Sequence, residues 1–186
     1  DLEIMTAKHP NMRLISVPQV GTQKPQIDFN GQWEATTPEV ARNFSAVGYL
    51  FGRRLHQALD VPVGLIDNAW GGSACEAWIP RDLLEKTAVA KPYVEQWKKT
   101  EAEYDPTKAM QEYEARMAKW KERAKKLKAE KKGVPRAPRK PRNPLTGQHR
   151  PANLYNGVLK PIIGYGIKGA IWYQGERNSA RGHASR

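Results

Sequence analysis

Apolar residues recur at helical spacing in two stretches. Val40, Phe44, Val47, Phe51, Leu55 and Leu59 fall three or four residues apart, which predicts one buried helical face. Thr36 and Glu39 have capping-box spacing ahead of it, and Pro38 is tolerated in a first turn, so the helix is expected to start at Pro38 and to end near Asp60 and Pro62. Met110, Tyr113, Met117, Trp120, Ala124 and Leu127 follow a 3-4-3-4-3 spacing, a heptad-like seam on a helix of roughly 25 residues. Tyr93, Val94 and Trp97 mark a partner helix before it.

Three apolar runs predict strands. Arg13 to Pro18 is the first, ended by its proline. Val63 to Asp67 and Ile167 to Tyr173 are apolar along their length, which predicts parallel strands buried on both faces. A short helix over Leu154 to Ile163, interrupted at Pro161, precedes the last. Strand, helix, strand, long excursion, helix, strand is the order of an α/β domain with a parallel sheet. The expected division is one partial domain over residues 1–186. Within it lie a helical hairpin insertion over 82–132 and a basic, proline-rich loop over 133–150, expected to be extended, mobile and unable to pack a core.

Charge is the feature that departs from this picture. The chain of 186 residues has a formal net charge of +12, and nearly all of it is local. Lys119 to Arg142 holds twelve Lys or Arg against two Glu, a net of +10. A solvated helix face and loop would account for such a run. So would contact with a polyanion, and an acidic polysaccharide suits it better than nucleic acid, because no aromatic residue is interleaved with the charges past Trp120. Cys75 is the single cysteine, so neither an intrachain disulfide nor a cysteine-based metal site is expected. No apolar run is long enough to suggest a membrane span, and no secretory leader is seen in a chain that begins at Asp1.

Candidate chemistry sits in two loops that follow predicted parallel strands, where open α/β sheets place their ligands. In Trp70-Gly71-Gly72-Ser73-Ala74-Cys75-Glu76-Ala77-Trp78, paired glycines leave backbone N–H groups open to a ligand. Such donors suit the oxyanion of an ester hydrolase, although a plain strand-to-helix turn uses the same residues. In Trp172-Tyr173-Gln174-Gly175-Glu176-Arg177-Asn178, the Asn amide can donate to an oxyanion without moving a proton, or can cap a following helix.

Taken together, Trp-Gly-Gly-Ser with Glu-Ala-Trp, Leu154-Tyr155-Asn156-Gly157, and Gly-Ala-Ile-Trp-Tyr-Gln-Gly-Glu-x-Asn ending at Asn178 resemble the sialate O-acetylesterase family, within the Ser-Gly-Asn-His hydrolases. His9-Pro10-Asn11-Met12-Arg13-Leu14 is similar to the segment after that family's nucleophile loop. The resemblance covers residues 1–80 and 150–181. It implies a flavodoxin-like three-layer sandwich and hydrolysis of acetyl esters on a carbohydrate by a Ser/His pair, with no metal or cofactor, in a secreted or periplasmic protein. It places Asn178 and Gly71 (or Gly72, with Gly71 preferred) in the oxyanion hole. Gln174, Gly175, Glu176 and Gly72 would shape the substrate pocket, Glu176 either orienting its neighbours or forming a structural ion pair.

The family's Gly-Gln-Ser-Asn nucleophile string and Asp-x-x-His string do not occur in this sequence. Ser45, Ser73, His9, His56, His149 and His183 are the residues that could be considered in their place, and each also has an ordinary packing or surface role. The chain alone is therefore expected to be inactive or nearly so. Two readings of other classes remain open, a non-catalytic carbohydrate-binding relative and a basic nucleic-acid-binding or scaffold protein.

Overall fold

The computed structural model describes residues 2–179. Helices and strands are mixed, and the sheet has three strands in the order β2-β1-β3. A short helix α1 (Leu2–Met5) leads into β1 (His9–Ser16). The strand β2 (Glu34–Thr36) pairs antiparallel with β1, across an irregularity between His9 and Arg13. The chain then runs through α2 (Pro38–Arg42) and α3 (Ala46–Leu59) and returns as β3 (Val63–Asp67), parallel to β1 from Met12↔Val63 to Ser16↔Asp67. The parallel pair joined by a helical crossover is an α/β arrangement.

The expected single helix over 38–59 is two helices. Thr37, not Thr36, caps the first, its side chain accepting from the Val40 N–H. Thr36 is buried and donates its hydroxyl to the Met12 carbonyl on β1. Ser45 caps the second helix by accepting from the Gly48 N–H, so the chain breaks at Asn43–Ser45. The break changes which face of α3 is covered. Tyr49 and Gly52 are buried, while Val47, Phe51 and Leu59 are exposed. Gly52 permits the approach, because a Cβ there would lie 2.4 Å from Leu65 Cδ1 on β3. Met12, Leu14, Ala7, Ala41 and Tyr49 form the core on this side of the sheet. Met12 and Leu14 are fully enclosed, and each contributes roughly 2 kcal/mol by its burial.

The opposite side is covered by a second cluster, Val17, Ala77, Leu154 and Val158, with Ile66, Trp70 and Trp78 against it. Its outer layer is a π-helical turn (Tyr155–Leu159) followed by a 3₁₀ turn (Lys160–Ile162). This is the segment expected as one helix broken at Pro161. Gly157 lets the turn sit on the 20–26 loop, since a Cβ there would meet the Val20 carbonyl oxygen at 1.8 Å. The buried Asn153 side chain joins the same layers, donating to the Leu145 and Gly147 carbonyls and accepting from Gln23.

Two strand expectations are corrected. β3 is only half-buried, as the edge of a three-stranded sheet. Ile167 to Tyr173 forms no strand, and Ile167, Ile171, Trp172 and Tyr173 are exposed. An apolar run becomes a strand only where a free edge pairs with it, and this one pairs with none among the described residues.

The long excursion begins with α4 (Arg81–Lys86) and α5 (Lys91–Glu103) and continues as α6 (Pro106–Ala129). Asp105 caps α6 by accepting from the Thr107 and Lys108 N–H groups. The six seam residues of α6, with Ala109, are its less exposed positions, and Ala124 is buried. At Trp120 the cover is the proline-rich segment, whose Pro135 carbonyl accepts from the indole N–H at 2.8 Å. The segment therefore reaches back to α6 at Trp120. Pro138, Pro141 and Pro144 are half-buried at three-residue intervals, while Arg139, Lys140 and Arg142 between them, and Arg136 before them, are exposed. Three residues per turn is the period of an extended polyproline chain. No helix among the described residues is long and apolar enough to cross a membrane.

Glu101 fastens the end of this return to the helices. Its carboxylate accepts from Arg81 Nη1 at 2.8 Å and from Arg150 Nε at 2.9 Å. Burial pushes the Glu101 carboxyl up, but the hydrogen bonds and charges of the two guanidinium groups outweigh it and hold it below the usual glutamate value. A depressed folded value means the clasp is complete above the ordinary glutamate range and is lost as pH falls through the depressed value. Glu101→Gln is expected to lower stability by about 1–2 kcal/mol at neutral pH in urea denaturation, with the difference from the parent shrinking near pH 3. An equal difference at both pH values would mean the carboxylate charge is not what holds the clasp.

Candidate active site

The Gly-Gly loop leaves the carboxyl end of β3. Asp67 Oδ1 accepts from the Ala69 N–H, turning the chain outward, and Ser73 N–H donates to the Trp70 carbonyl across the two glycines. Gly72 has φ +68°, a left-handed conformation that its lack of a side chain makes easy. Both glycines are exposed with open space beside them, and their N–H groups meet no acceptor among the described residues. They are donors available to a ligand. Beyond them the chain turns inward through a 3₁₀ turn (Cys75–Trp78) whose Glu76 and Ala77 are buried.

The second loop is brought onto the first by side chains rather than by a strand. Gln174 donates through Nε2 to the Ser73 carbonyl at 3.2 Å, while its Oε1 accepts from the Gly175 N–H. Gly175 has φ +133°, and the turn after it closes with Asn178 N–H donating to the Gly175 carbonyl. Asn178 is then buried, 6% exposed, and points into the first loop. Its Oδ1 accepts from the Cys75 N–H at 3.0 Å, and its Nδ2 donates to both Glu76 carboxylate oxygens, at 3.1 and 3.0 Å. Trp172 adds an edge-on contact with Trp78, ring centres 6.4 Å apart.

So Gln174 and Asn178 join the first loop, and Gly71 and Gly72 lie at its solvent side. Asn178 caps no following helix among the described residues. Glu176 stays within its own loop, accepting from the Tyr173 hydroxyl at 2.7 Å. That hydrogen bond to the carboxylate raises the Tyr173 phenol. Among the described residues, Glu176 makes this contact with Tyr173 and no ion pair.

Four of the alternative nucleophiles and bases make other contacts through their side chains. Ser73 is buried, its Oγ accepting from the Trp78 indole N–H at 2.9 Å. Ser45 is a helix cap. His9 stacks beside Tyr49 and His56, with ring centres 6.2 Å from each, and burial, then the neighbouring His56 and Arg53, lower its pKa. His56 Nδ1 lies 2.7 Å from the Val61 carbonyl. His149 lies in the return segment, where its carbonyl accepts from the Tyr93 hydroxyl. His183 falls outside the described residues. Burial pushes the Cys75 thiol up, and the neighbouring Glu76 carboxylate adds to it, so the thiol is not activated. No group of three His, Cys, Asp or Glu among the described residues could hold a metal ion.

Glu76 is the site residue that sequence reasoning missed. The signal was present: it is an acid in the otherwise uncharged run Ala74 to Trp78, with no Lys or Arg within four residues. The return segment holds the same turn from behind. Ala74 N–H donates to the Gln148 carbonyl, and Ala152 N–H, at φ +63°, donates to the Glu76 carbonyl.

No family model matches the chain. Its curated relatives are ester hydrolases. It is 27% identical over 181 residues to the human sialate O-acetylesterase, covering 93% of this chain and 26% of that protein. It is 26% identical over 182 residues to the rat sialate O-acetylesterase, covering 94% of this chain and 30% of that one. A solved carbohydrate acetylesterase from Xanthomonas citri is 36% identical over 46% of this chain and 20% of its own, at a TM-score of 0.43. The chain is sialate O-acetylesterase-like along nearly its whole length, and it spans about a quarter to a third of the length of the curated relatives it matches.

Asn178→Asp would set a second carboxylate against Glu76. Two carboxylates this close cannot both ionise, so one folded pKa rises and stability falls as pH climbs above the ordinary carboxylate range. A loss of about 2–4 kcal/mol between pH 5 and pH 8, absent from the parent, is expected in thermal or urea melts. Parallel pH profiles for the two proteins would place Asn178 and Glu76 apart.

Proposed function

We propose that this chain is the oxyanion-binding part of a carbohydrate O-acetylesterase, a protein that hydrolyses acetyl esters through a Ser/His pair contributed by residues outside this sequence. The observation that carries the reading is the side-chain lock of Gln174 and Asn178 onto Ser73–Glu76, beside two glycine N–H groups with no acceptor among the described residues.

In this reading Gly71 N–H is a donor to the acetyl oxygen as it becomes an oxyanion, with Asn178 beside it. Preorganised donors stabilise the developing charge without reorganising at the moment of reaction. Glu76 holds the Asn178 amide in one orientation. Gly72, Gln174 and Gly175 shape the pocket around the acyl group, and an acetylated carbohydrate is the substrate. The flavodoxin-like sandwich belongs to the same proposal, supported by the parallel β1–β3 pair and its helical crossover. So does the division into an esterase core and an insertion over residues 82–150. The chain alone lacks the nucleophile and base and is expected to be inactive.

The test is hydrolysis of a small acetyl ester by the full-length protein. Asn178→Ala is expected to lower kcat by about 10²–10³-fold with KM nearly unchanged. An unchanged kcat in a folded variant would remove Asn178 from the oxyanion hole. One observation favours a second reading, a non-catalytic carbohydrate-binding relative. The Asn178 amide already donates to both Glu76 oxygens. That reading predicts sugar binding with no ester hydrolysis by the full-length protein.

A further inference from the structure

The excursion carries a surface that the esterase reading leaves unused. α6 has 24 residues, a length of about 36 Å at the helical rise. The return from Gly133 to Leu145 covers about 37 Å if extended at the polyproline rise. The two lengths match, so an extended strand can follow the helix over its whole course. Three contacts show that it returns: Trp120 to Pro135 part-way along, then Glu101 to Arg150 and Tyr93 to His149 at the base. Helix and return together form a braced arm.

The arm sorts its residues by chemistry. Pro138, Pro141 and Pro144 of the return are half-buried, while its cations are exposed. Lys119, Arg123 and Lys126 succeed one another at four- and three-residue spacing, one stripe of the helix. Lys121 and Glu122 are exposed beside them on the same helix. Of the twelve cations between Lys119 and Arg142, only Lys132 is paired with an acid among the described residues, namely Glu130. Like charges this dense repel one another, and the repulsion is relieved by a counter-charged polymer.

We propose that this arm is a binding track for a polyanionic polysaccharide, and that it retains the polymer beside the Gly-Gly loop. The polymer rather than nucleic acid is favoured by the aromatic content. Trp120 is the only aromatic residue of the cationic run, it is half-buried, and its N–H is engaged by Pro135, so no platform is left for base stacking. The connection to the site is direct, because three residues beyond the return lies Gln148, whose carbonyl accepts from Ala74 in the first loop. Retention of a polymeric substrate rests on the esterase reading; binding of the polyanion does not.

The experiment measures binding of the full-length protein to de-esterified polygalacturonate, with a neutral xylan and oligo-dT as comparisons. Polygalacturonate is expected to bind, with affinity falling about tenfold or more between about 50 and about 500 mM NaCl, and neutral xylan is expected not to bind. The triple variants K119Q/R123Q/K126Q and R136Q/R139Q/R142Q are each expected to weaken binding about tenfold at low salt. Neither should change the melting temperature or the hydrolysis of a small acetyl ester. Absence of polygalacturonate binding would overturn the proposal. So would binding that both variants leave unchanged, or tighter binding of oligo-dT. The probe carries no acetyl group, so a protein that binds it and hydrolyses no ester would count against the esterase reading alone.

Discussion

The candidate site depends on one buried contact, the Asn178 carboxamide held between the Cys75 N–H and the Glu76 carboxylate. A buried carboxylate without partners is costly, and an unpaired buried amide adds a smaller cost of its own. Each satisfies the other, so two loops about a hundred residues apart in sequence are obliged to meet. No sheet hydrogen bonds bring the second loop in, since Ile167 to Tyr173 lies outside the sheet. Gln174 and the Trp172–Trp78 contact add to the lock, but only Asn178 joins backbone and carboxylate at once.

The same turn is held from the other side by the segment that returns from α6. Gln148 and Ala152 fix the backbone of Ala74 and Glu76, while Asn153 ties that segment to the 20–26 loop. Site and arm therefore share a foundation. A short stretch of hydrogen-bonded chain thus joins the arm to the Gly-Gly loop.

What the sequence disclosed follows from what periodicity can encode. The seam from Met110 to Leu127 was legible because a helix repeats every 3.6 residues whatever covers it; that the cover is a proline-rich strand was not, because that strand looks disordered by composition. The helix expected over residues 38–59 breaks at Ser45, whose hydroxyl competes for a backbone N–H that apolar spacing ignores. Ile167 to Tyr173 reads as a strand, but pairing is a property of the neighbouring edge and not of the run itself. In the site, Asn178 and Gln174 were legible from a long motif. Glu76 stood in the other loop's motif, where its lone charge in an uncharged run marks it as unusual but does not name a partner 102 residues away.

The most direct measurement is a double-mutant cycle on stability with Asn178→Ala, Glu76→Ala and the pair, each unfolded in urea. The account predicts strong coupling, about 1–3 kcal/mol, because either single change strands a buried polar group and the second change relieves it. Additive losses would contradict it, and would mean that the two loops meet without the contact on which the site is built.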